Sequence, residues 1–155
     1  MRPIAPLAGL IWVGLLACSN TAGPSNPKIE ETTFAPSLNV DLSAMTKTGS
    51  GLYYRDLVIG AGALILVNDE VSAHYTGWLP NGTQFDHNGP SDTPYKFTVG
   101  AGRVIAGWDQ GVVGMRVGGV RQLVIPPALG YGSQATGPIP ANSILVFSVQ
   151  IVSAQ

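Results

Sequence analysis

Residues 71–86 read VSAHYTGWLPNGTQFD. Val71, Ala73 and Tyr75 alternate with Ser72, His74 and Thr76, the period of two that gives each face of a half-buried strand its own set of side chains. Pro80-Asn81-Gly82 then turns the chain, because Asn and Gly both tolerate positive φ and together make the strongest short hairpin signal. Residues 83–86 return. Working outward from this hairpin, 52–59 (LYYRDLVI) predicts a strand closed by Gly60 and Gly62, and 95–99 (YKFTV) predicts a short one. Strands over 120–125 and 145–151 complete the set, the last with Leu145, Phe147, Val149 and Ile151 on one face. Only 104–113 reads as helix, since Val104, Trp108 and Val112 fall on one stripe. Gly107 and Gly111 each weaken it by about 1 kcal/mol relative to Ala, so packing must hold it, and they let another backbone come close. The expected fold class is α+β, an antiparallel sheet wrapped over one short helix.

The 155 residues carry 8 basic and 9 acidic side chains, a net charge of −1, with 45% hydrophobic and 11% charged residues. An average soluble domain has roughly 25% charged residues, so this chain has apolar surface for a core and too little charge to repel itself open. A balanced charge gives no electrostatic footprint for nucleic acid. One cysteine excludes an internal disulfide and a cysteine-based zinc site, and two histidines leave few ligands for any metal centre. Neither metal nor cofactor is expected. No Ser-His-Asp set is apparent: His74 sits in a strand and His87 in a loop beside Asp86. The glycines of GAGRVIAGWDQG (100–111) lack the spacing of a dinucleotide fingerprint.

Ahead of the domain, Arg2 is the only charge before Lys28, and residues 4–17 are apolar apart from the break at Pro6. A bilayer-spanning helix needs about 20 residues, so the run reads as a secretory signal. Its end, Leu15-Leu16-Ala17-Cys18, resembles a bacterial lipobox. The chain thus divides into a signal peptide over 1–18, a Ser-, Pro- and Asn-rich flexible tether over 19–50, and a domain over 51–155. Two alternatives stand beside this: an ordinary signal with a coincidental cysteine, and a docking segment over 34–45 built on Phe34, Leu38, Val40 and Leu42.

Aromatic and aliphatic residues gather at the element ends. Core filling accounts for Phe97, but less well for Trp108 at a helix start or for Tyr131 in the Gly-flanked loop LGYG (129–132). At this point three blocks, VSAHYTGWLPNGTQFD (71–86), YKFTVGAGRVIAGWDQGVVGMRVGG (95–119) and LVIPPALGYG with IPANSILVFSVQIV (123–132 and 139–152), resemble in order those of the FKBP-type peptidyl-prolyl cis-trans isomerases. The resemblance covers 51–155. It implies an FKBP-like twisted sheet half-wrapped around the helix, with a shallow apolar pocket between them.

By position, the resemblance makes Trp108 the pocket floor. Tyr75, Phe85, Tyr95, Phe97, Val104, Ile105, Ile139 and Phe147 would bind substrate around it. Asp86 would stand at the rim near the twisting carbonyl. The Ile105 amide and the Tyr131 hydroxyl would bond backbone carbonyls of the peptide. Catalysis would fall to Asp86, Tyr131, Trp108 and Phe147. Tyr95 replaces a frequent Phe, Ser91 an arginine that pairs with the rim aspartate in some members, and Arg103 a frequent acid. The partners implied are proline-containing unfolded or partly folded polypeptides, with macrolides such as rapamycin as possible ligands. Together with the leader, the resemblance implies an exported monomer on the periplasmic side of a bacterial membrane, anchored by lipid at Cys18. A non-catalytic proline-peptide-binding or chaperone module on the same fold is the alternative.

Overall fold

The alternation of 71–76 becomes the central strand of a seven-stranded antiparallel sheet. The computed structural model describes residues 26–155; the expected signal segment, Cys18 with it, and the first part of the expected tether lie outside them. The strands are β1 (Thr46–Lys47), β2 (Tyr53–Val58), β3 (Glu70–Trp78), β4 (Gln84–Asn88), β5 (Tyr95–Thr98), β6 (Val120–Ile125) and β7 (Leu145–Ala154). Their spatial order is β1-β2-β6-β7-β3-β4, with β5 pairing the first half of β3 and β4 the second. His87, expected in a loop, lies in β4 opposite Thr76.

The hairpin turn differs from the reading in one respect. Gly82 alone takes a positive φ, of 88°. Asn81 contributes through its side chain instead, its Oδ1 accepting from the Thr83 amide at 2.9 Å, the local bond that makes Asn a turn residue.

The helix α1 (Ala106–Gly111) is shorter than the 104–113 expected. Ile105 is extended (φ −59°, ψ 146°) and Gly114 is left-handed, so the chain enters and leaves sharply. Its glycines admit side chains, not backbone: a Cβ at Gly107 would lie 2.5 Å from Ile125 Cγ2, and one at Gly111 would lie 2.8 Å from Leu123 Cδ2. The helix therefore rests directly on β6. Arg121, 5% exposed, ties it there. Its guanidinium grips Asp56 through two bonds of 2.6 and 2.9 Å and donates to the carbonyls of Gly111 and Val113. Arg121 is buried while Asp56 reaches solvent, so solvent screens the pair, and the two carbonyl bonds hold the buried guanidinium together with it.

Alternation along β6 and β7 sorts two cores. Leu123, Ile125, Leu145, Phe147, Val149 and Ile151 face the helix, whereas Val124 and Val146 face the opposite side. That second face is covered by residues 29–45, and here the flexible tether is corrected for the described part of 19–50. Three 3-10 helices (Ile29–Glu31, Pro36–Leu38, Leu42–Ala44) lay Ile29 and Leu38 onto Tyr53, Val124, Ile144 and Val146. Phe34, Val40, Leu42 and Met45 join them. The segment is also hydrogen-bonded: Gln122 donates to Leu38 O at 2.7 Å, Arg55 to Asn39 O at 2.9 Å, and the Ala35 amide to Pro80 O at 2.8 Å. Polar composition hid it, because its apolar residues follow no single period.

Candidate active site

Between the curved sheet and α1 lies a cleft of about 470 Å³. Each wall comes from a different element. β3 supplies Tyr75, β4 Phe85 and Asp86, β5 Tyr95, and β7 Phe147. The loop before α1 brings Arg103, Val104 and Ile105, the helix brings Trp108, and the loop after β6 brings Tyr131. The space is open, with no side chain of the described residues filling it.

Trp108 forms the floor and is 4% exposed. Tyr75 stands edge-on to it at 5.0 Å and 83°, and Phe147 at 5.4 Å and 87°. Phe85 meets Phe147 edge-on at 5.4 Å. Such perpendicular contacts add about 0.5–1.5 kcal/mol each beyond burial, so the floor and walls lock one another. Gly77 makes the wall possible, since a Cβ there would come within 2.6 Å of Phe147 and 2.7 Å of Phe85. The indole Nε1 of Trp108 is buried with no acceptor among the described residues, an unmade bond that costs about 1–3 kcal/mol.

The rim is polar and held. Asp86 Oδ2 accepts from the Tyr75 hydroxyl at 2.8 Å, and its Oδ1 from the His87 amide at 2.8 Å. Tyrosine thus stands where the resemblance left the aspartate without its arginine. Burial first, then the bond and charge of Asp86, push the Tyr75 hydroxyl well above the ordinary tyrosine value. Burial also raises Tyr131, with the charge of Asp86 adding to it. The Tyr131 hydroxyl and the Ile105 amide donate to nothing among the described residues. Both point-polar groups are free for an incoming carbonyl. Asp109 shapes this side: its carboxylate accepts from the amides of Gly100 at 2.8 Å and Gly102 at 2.9 Å, bracing the loop that carries Ile105.

Two expected residues stand elsewhere. Phe97 is 4% exposed and packs beneath Trp108 at 5.5 Å, a support for the floor rather than a lining. Ile139, also 4% exposed, joins the main core, and its amide and carbonyl are both bonded to Thr136. The other nine of the eleven expected residues line the cleft. Arg103, expected only as a replaced acid, joins the lining, and the vacancy at Gly77 behind the rings was not expected. A glycine inside a strand hints at close approach, but only the fold shows which rings use the space.

A curved antiparallel sheet closed by one short helix over an aromatic cleft defines a small α+β enzyme domain with a site for a compact apolar group. Residues 65–152 match the family model for the FKBP-type peptidyl-prolyl cis-trans isomerase. The chain is 45% identical over 103 residues to an FK506-binding protein of Neisseria meningitidis serogroup B, covering 66% of this chain and 94% of that one. To FK506-binding protein 2 of Dictyostelium discoideum it is 53% identical over 85 residues, 54% of this chain and 64% of the relative. Among solved structures, AtFKBP13 superposes with a TM-score of 0.67 at 36% identity, covering 72% of this chain and 98% of that one. FkpA from Escherichia coli superposes with a TM-score of 0.66 at 34% identity, covering 72% and 52%. The chain belongs to the FKBP-type peptidyl-prolyl cis-trans isomerases.

Proposed function

We propose that this isomerase accelerates X-Pro rotation in proteins folding in the cell envelope, and that the Trp108 cleft is where it does so. The observation that carries the reading is the cleft itself, open, floored by a buried indole and rimmed by free donors. Rotation about X-Pro faces a barrier of about 18–20 kcal/mol because the amide loses its resonance at the twist, and unaided exchange takes tens to hundreds of seconds.

No bond to a protein group need form. The pyrrolidine ring sits on Trp108 between Phe85 and Phe147. The Ile105 amide and the Tyr131 hydroxyl hold the peptide backbone through its carbonyls, which keeps one side of the bond still while the other turns. The twisted amide is less polar than either planar form, so an apolar cleft disfavours it less. Binding the twist better than the flat states is what lowers the barrier. Asp86, kept in place by Tyr75, faces the turning carbonyl at the rim.

The same cleft takes up macrolides such as FK506 and rapamycin in this reading; the names of the relatives record FK506 for them. Export and lipid attachment at Cys18 rest on the leader sequence, and a Cys18→Ser variant that stays in the membrane fraction would refute attachment there. The activity is tested with a protease-coupled proline-peptide assay. Trp108→Ala is expected to lower kcat/KM more than tenfold and to abolish the rapamycin-induced change in tryptophan fluorescence. Unchanged turnover in a folded Trp108→Ala protein would remove the cleft from the reaction.

A further inference from the structure

Arg103 is a cation at the cleft that is paired with no acid among the described residues. It lines the mouth, is exposed, and makes no ion pair or hydrogen bond among the described residues. The next acid along the chain, Asp109, is committed to the Gly100 and Gly102 amides. Those glycines adopt φ of 78° and 66°, so the loop under Arg103 is fixed while its guanidinium is free. The mouth's own acid, Asp86, already accepts from Tyr75 and His87. Asp86 keeps its charge, but its two oxygens are already engaged, whereas the Arg103 guanidinium has no partner among the described residues.

We propose that Arg103 determines specificity: it selects prolines with a carboxylate side chain, Asp or Glu, on one flank. The proposal rests on the isomerase reading of the same cleft. A guanidinium stays charged at every working pH and presents a fork that matches a carboxylate. Asp86 repels a second carboxylate on its own side, which confines the preference to a single flank. Exposure keeps the effect modest, and salt screens it.

The test uses end-capped peptides Ala-Xaa-Pro-Ala and Ala-Pro-Xaa-Ala, with Xaa as Glu, Gln or Lys. Isomerisation is followed by NMR exchange with the wild type, Arg103→Gln and Arg103→Glu. In one series kcat/KM for Glu exceeds that for Gln by roughly two- to fivefold at low ionic strength, and Lys falls below both. The Glu-to-Lys ratio shrinks at about 1 M salt, where the Debye length is about 3 Å. It moves toward one in Arg103→Gln and inverts in Arg103→Glu. A Glu-to-Lys ratio identical in wild type and Arg103→Glu, in both series, overturns the assignment while leaving the isomerase in place. Acceleration of none of the peptides by the wild type sinks the isomerase reading and this one together.

Discussion

Tyr75 joins the floor of the cleft to its rim, with its ring against Trp108 and its hydroxyl on Asp86. The folded protein keeps that hydroxyl protonated at a pH where an unfolded chain, with tyrosines titrating near 10, releases the proton. Its contribution to stability is therefore complete below about pH 10 and declines as pH rises above it. Denaturant midpoints measured between pH 9 and 11 should fall, and Tyr75→Phe should flatten that fall. Tyr131 differs, because its hydroxyl is free. Tyr131→Phe should leave thermal stability unchanged but lower kcat/KM roughly two- to tenfold, the effect of one neutral hydrogen bond of about 0.5–1.5 kcal/mol made in the transition state. A variant that matched wild type in steady-state kinetics would show that this hydroxyl does not touch the substrate.

At the scale of elements, α1 is a poor helix held in place by its neighbours. Ala at position 107 would raise intrinsic helicity by about 1 kcal/mol, yet its methyl would collide with Ile125 at 2.5 Å. Overpacking costs about 1–3 kcal/mol, so Gly107→Ala should destabilise the protein by about 1 kcal/mol net and lift Trp108 from its seat. Chemical denaturation reads the first effect and rapamycin affinity the second. A more stable variant with full affinity would mean that the helix does not rest on β6 as described. The glycine pair was visible in the sequence, and so was the stripe of Val104, Trp108 and Val112. Which atoms filled the space opposite was not, because a missing side chain carries no record of its neighbour.

For the molecule as a whole, the sheet has two covered faces. One carries the cleft and the other lies under residues 29–45, which bury Ile29 and Leu38 at 3% and 8% exposure. A chain that begins at residue 51 should expose Val124, Val146 and Ile144, with a lower denaturation midpoint and more association than a chain that begins at residue 26. Size-exclusion chromatography and urea titration distinguish the two truncations; equal behaviour would restore the tether. The Ala35–Pro80 bond also runs from this segment to the hairpin that bears Phe85 and Asp86. The packing behind the sheet thus reaches the rim of the site in front.

Strands β3, β6 and β7 could be read directly from their side chains, because a period of two states which residues share a face. The ordered blocks around Trp108 and Tyr131 pointed to an isomerase through their resemblance to a known family. Neither signal extended to long-range placement. The segment 29–45 has no period, and its apolar residues became a core only once β2, β6 and β7 offered a face to cover. Ile139, expected to bind substrate, is buried in the core, and Arg103, expected as a replaced acid at the edge, lines the cleft on the loop clamped by Asp109. Local chemistry chose the elements; contacts between residues far apart in the chain decided what each surface faces.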